Sequence, residues 1–176
     1  MTTRAPSRAA LLVLALALLF VGGCAAPTPG DDFELSTGLS VAPGAGAVVG
    51  FAQRIHATPR ERYDLVLDWS RQSVDAAVSP IGDEGDTLDF IRLGVRYRRA
   101  GWSARFGAAW VRAQGDPERL PGGRDYGGAH FGLGREFALG ERFLTGPEVL
   151  VHYVDSEGTG TSGVLTEFVW RLTWRL

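Results

Sequence analysis

Three side chains in this chain could hold a metal ion or relay a proton: His130, Glu148 and His152. Imidazole and carboxylate are common metal ligands and proton carriers. If the stretches around Tyr126–Phe137 and Phe143–Asp155 are antiparallel neighbours joined through Ala138–Arg142, all three fall close together on one face. A larger polar set consists of Glu34, Arg54, Asp64, Asp68, Arg92, Arg96, Arg105, Glu148, Glu167 and Arg171. Its charges are close to balance, which implies ion pairing, and arginine suits such pairing because its planar fork meets a carboxylate in two places. The two histidines then have a plainer reading, as members of that network satisfied by arginines. Cys24 is the only cysteine, so no intramolecular disulfide can form.

Strands must position these groups. From Val164 to Leu176, Val164, Thr166, Phe168, Trp170, Leu172, Trp174 and Leu176 alternate with Leu165, Glu167, Val169, Arg171, Thr173 and Arg175. A strand sends successive side chains to opposite faces, so one face is greasy and the other carries charge. The same alternation recurs upstream and predicts eight strands. The first two run Phe33–Val41 and Ala45–Ile55, with Gly46, Gly50, Arg54 and His56 sharing the polar face of the second. The third and fourth run Arg62–Arg71 and Leu88–Arg98, and the fifth alternates Trp102, Ala104, Phe106, Ala108 and Trp110 with Ser103, Arg105, Gly107 and Ala109. The sixth, Tyr126–Phe137, and the seventh, Phe143–Asp155, place His130 and His152 on the polar side, with Pro147 at a strand entrance or bulge because it cannot donate to a ladder. The eighth is the terminal stretch.

Gly, Ser, Asp, Glu and Arg on the polar faces suit the crowded lumen of a small barrel better than an outer surface. The links agree with one exception: Ala57–Glu61, Ala100-Gly101 and Ala138–Arg142 are short and Gln72–Thr87, Gln114–Asp125 and Ser156–Thr161 are longer, but the first external link, around Pro43-Gly44, is short. Short periplasmic turns alternating with longer external loops are a property of outer-membrane barrels. Tyr63 with Trp69 and Trp102 with Trp110 bracket two outward faces, as aromatic residues do at membrane interfaces. The fold class expected is therefore all-β, an eight-stranded antiparallel up-and-down transmembrane β-barrel over residues 33–176, preceded by a cleavable signal helix. If Ala100-Gly101 is a two-residue turn, Arg96 faces Arg105, and their like charges require Asp64 or Asp68 from the third strand.

The leader points to the same cell envelope. Arg4 and Arg8 precede an apolar run from Ala9 to Phe20, too short to span a bilayer but right for a secretory signal, so residues 1–23 read as a signal peptide. Val21-Gly22-Gly23-Cys24 resembles a bacterial lipobox, which implies lipidation of Cys24 and a tether over residues 24–32. All eighteen basic residues are arginine, yet the formal charge is -2, which argues against nucleic acid as a partner.

The pattern from Phe33 to Leu176 resembles the OmpA/OmpX-type small eight-stranded outer-membrane barrels. The resemblance implies outer-membrane lipid and lipopolysaccharide as surroundings, and the barrel-assembly machinery as a partner during insertion. In that class the last strand serves as the assembly signal, often ending in an aromatic; Phe168, Trp170, Leu172 and Trp174 fit, and the final residue is Leu176. Some small barrels of this size are lipid A-modifying enzymes, and the deacylase type uses a His-x-Ser pair facing the membrane. Here His130-Phe131-Gly132 has no serine in the matching place, and His130 has lumen parity. The expected role is structural or surface-interacting, with no open pore, no metal and no cofactor. The acidic residues of the external loops, Asp83, Glu84, Asp86, Asp116, Glu118, Asp155 and Glu157, read as solvated loop charge. The alternatives are a lipid A-modifying enzyme, or a lipidated lipocalin-like periplasmic carrier whose inverted faces would put Leu93, Phe106 and Trp170 around an apolar ligand.

Overall fold

A computed structural model describes residues 33–42, 44–74, 81, 85–115, 124–155 and 162–176. The expected signal peptide, Cys24 and its tether lie outside the described residues, as do Pro43 and Asp83, Glu84, Asp116, Glu118 and Glu157 of the external loops.

Nine strand segments occur in chain order: β1 Phe33–Ala42, β2 Gly46–Ala57, β3 Glu61–Ser73, β4 Thr87–Arg99, β5 Trp102–Gln114, β6 Arg124–Arg135, β7 Phe137–Ala138, β8 Phe143–Asp155 and β9 Ser162–Arg175. All are antiparallel to their neighbours, in the sheet order β6-β5-β4-β3-β2-β1-β9-β8-β7, and the further β6–β8 pairing closes the sheet on itself. The two-residue β7 continues the line of β6 beyond Glu136, keeping the same register against β8, so eight spans surround the lumen. Closure removes every free edge, which otherwise leaves unpaired backbone groups.

Local chemistry explains the hairpins. Ala100 and Gly101 have φ of 51° and 77°, the left-handed pair that a two-residue hairpin turn needs to match strand twist. Glu136 donates its backbone N–H to the Gly101 carbonyl at 2.7 Å, one step beyond the Trp102–Arg135 pair, while the ladder of β6 with β8 stops at Gly134–Glu148 and resumes at Phe137–Thr145. Pro147, which pairs with Trp170 of β9, stands opposite this interruption, where the missing N–H costs least.

Register carries the expected faces with one correction. Arg54 pairs with Asp64, but His56 pairs with Tyr63, because the ladder shifts between Arg54 and His56. One extra residue in a strand reverses the parity of every position beyond it. The bulge therefore turns His56 outward onto Tyr63, with ring centroids 6.1 Å apart, rather than into the lumen.

The lumen is divided along its axis. Towards the short turns it is filled with arginines and carboxylates, while towards the long loops it holds an apolar cluster beside a buried Ser40–Gln72 hydrogen bond of 3.0 Å. Leu88 and Phe90 of β4, Val111 and Ala113 of β5, Tyr126 of β6, Val154 of β8 and Leu165 of β9 form one buried cluster with Val74 and Ile81. The β3–β4 hairpin continues past its strands through Val74 N–H to Asp86 O at 2.8 Å, and Ile81 is held by Tyr126, whose hydroxyl donates to the Ile81 carbonyl at 3.3 Å. Replacing Tyr126 with phenylalanine should cost about 1 kcal/mol, the value of one such bond. The check is the denaturation midpoint of the detergent-folded protein; an unchanged midpoint would mean that this hydroxyl does not tie the loop down.

Candidate functional site

Three tiers of ion pairs fill the charged part of the lumen. At the turn end, Glu34 of β1 accepts both terminal nitrogens of Arg98 at 2.7 Å each and Arg96 Nη2 at 2.6 Å. Asp64 accepts Arg96 Nη2 at 3.1 Å and also binds Arg62 Nε. Glu136 accepts Arg98 Nε at 3.0 Å.

In the middle tier, Asp68 of β3 binds Arg105 of β5 and accepts Arg171 Nη2 of β9 at 2.9 Å. Glu148 of β8 binds the same two arginines, with Arg105 Nε at 3.1 Å. These contacts run across the lumen as well as along the sheet. Glycine makes room for them: a Cβ at Gly50 would lie 2.0 Å from Asp68 Oδ1 and 2.6 Å from Ser36 Oγ. Arg96 does face Arg105 across the β4–β5 hairpin, and the two repelling charges take separate carboxylates, Asp64 for one and Asp68 for the other.

The upper tier holds the histidines. Arg92 bonds to Glu167 and donates to Ser70 Oγ at 2.7 Å, and its guanidinium lies 5.6 Å from the Phe90 ring centroid. His152 Nε2 is 3.2 Å from the same Glu167 carboxylate. His130 is the direct cross-strand partner of His152, their ring centroids are 6.1 Å apart, and His130 Nδ1 is 3.1 Å from the Ala108 carbonyl. That carbonyl can only accept, so the contact is a hydrogen bond when Nδ1 carries the proton.

Of the three residues with ligand or proton-relay chemistry, His130 and His152 are adjacent, whereas Glu148 sits in the middle tier with Arg105 and Arg171. The carboxylate beside His152 is Glu167. Parity could place each of these residues inside, but pairing across the lumen depends on strand stagger, which parity does not contain. Arg62, Arg98 and Glu136 are also integral to the turn-end tier. Among the described residues, no three His, Cys, Asp or Glu side chains converge in a way that could hold a metal ion. His130 and His152 are both buried, and the apolar cluster lies beyond them. What the arrangement does chemically is to exchange charge internally: most arginines and carboxylates of the lumen satisfy one another. Buried pairs are costly to break because removing one partner strands the other.

The outer surface is the inverse. Phe106 is 64% exposed and its neighbour Arg105 is 2% exposed. All five tryptophans, Trp69, Trp102, Trp110, Trp170 and Trp174, have outward parity. Near the turns, Arg135 lies over the Trp102 ring at 5.0 Å and the Phe137 ring at 5.8 Å, and Phe143 stacks on Trp174 at 6.2 Å. Near the loops, Arg112 lies over Trp110 at 5.5 Å and bonds to Asp125 at 2.9 Å.

No protein-family model matches the chain, and no curated protein matches it. Among solved structures, the chain is similar to the solid-state NMR structure of the outer membrane protein AlkL in DMPC lipid bilayers. The identity is 15%, the match covers 100% of this chain and 98% of that one, and the TM-score is 0.36. The fold assignment rests on the strand pairing itself.

Proposed function

We propose that this chain is a bacterial outer-membrane β-barrel, exported by residues 1–23, acylated at Cys24, and serving a structural or surface-interaction role without an open pore. The carrying observation is its polarity: an apolar sheath outside and ion pairs inside. A protein in water would expose the charges and bury Phe106, Phe131 and Trp170; in hydrocarbon the costs reverse, and a closed sheet pairs its backbone from strand to strand. Trp102 and Trp110 are eight residues apart, about 26 Å along the strand and about 20 Å in height at a tilt of roughly 40°, near the ~25 Å apolar band of such barrels. Side chains from every strand fill the interior, as eight strands permit.

With the ends of β1 and β9 on the turn side, a periplasmic N-terminus puts the short turns in the periplasm and the long loops outside, where lipopolysaccharide and surface partners lie. The carrier reading needs Leu93, Phe106 and Trp170 around a ligand, but these residues point outward. A lipid-modifying enzyme would need His130 or His152 within reach of lipid, and both face the lumen.

Intrinsic tryptophan fluorescence provides the test. In vesicles whose acyl chains carry bromine, most of the emission should be quenched, because all five indoles face lipid. Emission that stays within a few per cent of that in unbrominated vesicles would overturn the membrane reading. Radioactive palmitate should label the wild type in a Gram-negative host and should be lost in Cys24→Ala; equal labelling of the two would remove the anchor.

A further inference from the structure

The turn-end mouth of the barrel holds more positive charge than its own carboxylates neutralise. A cavity of about 270 Å³ opens there, lined by Arg60, Arg62, Arg98, Arg99 and Arg175 against only Glu61 and Glu136 as acids. Three of these arginines, Arg62, Arg98 and Arg175, share with Arg96 a single buried carboxylate, Glu34, within ion-pair distance of all four. Arg96 and Arg98 already make three hydrogen bonds to Glu34, which leaves about one of its four lone-pair sites for two further guanidiniums. Arg62 Nη2 and Arg175 Nε show the consequence: they lie 3.2 Å and 3.5 Å from Glu34 Oε1, yet both are buried nitrogens with no hydrogen-bond acceptor among the described residues. At the rim, Arg99 reaches Glu61 only at 3.5 Å and is largely exposed. The side chains of Arg62 and Arg175 also line the cavity, where five arginines face two acids, so an anion is the natural complement there.

We propose that this mouth is a binding site for a phosphate-bearing anion, with Arg62 and Arg175 as inner donors and Arg60 and Arg99 as the rim. Guanidinium pairs phosphate bidentately, and several arginines around one concavity match a group with at least two negative charges. The cavity is just below the ~300 Å³ at which small-ligand pockets begin, which suits a head group rather than a large ligand. Arg98 is not a ligand in this scheme, because Glu34 and Glu136 already hold it. The source of the phosphate is either a soluble compound or the headgroup of an anionic phospholipid in the leaflet beside the turns.

The experiment uses the full chain folded in a non-ionic detergent, so it does not depend on the membrane reading; a water-soluble protein would be tested in buffer in the same way. Inorganic pyrophosphate is titrated calorimetrically against the wild type, Arg62→Gln, the rim double variant Arg60→Gln/Arg99→Gln, and Arg112→Gln at the other end. A second arm compares nanodiscs of phosphatidylcholine alone with nanodiscs containing phosphatidylglycerol, reading the retained anionic lipid by mass spectrometry. Heat-dependent gel mobility checks the folding of each variant. Since Arg62 also binds Asp64, the exposed rim pair carries the decision if Arg62→Gln does not fold. The expected result is binding weakened at least tenfold by the turn-end variants and unchanged by Arg112→Gln. A loss in the pyrophosphate arm identifies a soluble phosphate compound, and a loss confined to phosphatidylglycerol identifies a lipid headgroup. No binding in either arm, or binding that the rim variants leave intact, overturns the site.

Discussion

Asp68→Asn should destabilise the folded barrel by about 3–5 kcal/mol, the range for a buried ion pair that loses one partner. Asp68 is fully enclosed and is shared by Arg105 and Arg171. Asparagine nearly preserves the shape but removes the charge. Glu148 then faces two guanidiniums alone, in a lumen closed on the loop side by apolar residues. Denaturant unfolding in lipid vesicles measures the loss. Adding Arg105→Gln to the same chain should recover part of it, and the double-mutant cycle gives the coupling directly. A loss under 1 kcal/mol is the figure for exposed pairs and would show that water reaches this tier freely.

Phe106→Arg should have an effect of similar size from the opposite side of the sheet. Phe106 lies midway between Trp102 and Trp110 and faces outward between Val95 and Phe131. An arginine near the midplane of a bilayer costs roughly 2–4 kcal/mol, falling to roughly 0–1 near the interfaces. Val164→Arg, two residues from the loop end of β9, should therefore be nearly neutral in the same vesicles. A barrel that lived in water would behave differently, since both changes would cover exposed apolar surface with charge and neither would cost several kcal/mol. A neutral Phe106→Arg variant would thus remove the membrane as the solvent of this face.

Much of the fold could be read in the residues because period-two alternation is local. Arg92, Gly94, Arg96 and Arg98 against Ile91, Leu93, Val95 and Tyr97 decides which way β4 faces without knowledge of any other strand. Ala100-Gly101 carries its own turn chemistry. The features that escaped depend on a count or a distance along the chain that alternation does not record. The bulge at Arg54 and His56 adds one residue and reverses a histidine. The break in the β6–β8 ladder beyond Gly134 falls opposite Pro147, which has no N–H to donate to it. Arg92 and Glu167 are 75 residues apart, and their meeting is fixed by the stagger of strands around the lumen.

The apolar loop-side lumen is a more instructive omission. Leu88 and Phe90 have the same parity as Arg92, so their inward direction was available in the sequence. Alternation gives the direction of each side chain but not that Leu88 and Phe90 meet Val111, Tyr126 and Val154 at one level of the lumen. The same parity argument, carried two residues further along β5 and β8, yields Val111 and Val154, which join the Leu165 already visible on the inner face of the last strand.

Closure has a consequence for how the molecule is made. Phe33 accepts the backbone N–H of Leu176 at 2.9 Å, and β1 finds its second neighbour only in β9. Until β9 docks between β8 and β1, the sheet has two open edges, and no smaller set of these strands makes the finished cylinder. Biogenesis must therefore shelter an incomplete sheet through to the last step and then zip it shut in one event. After that event, each strand still lies beside the one made before it, and only the β1–β9 seam joins segments far apart in the chain.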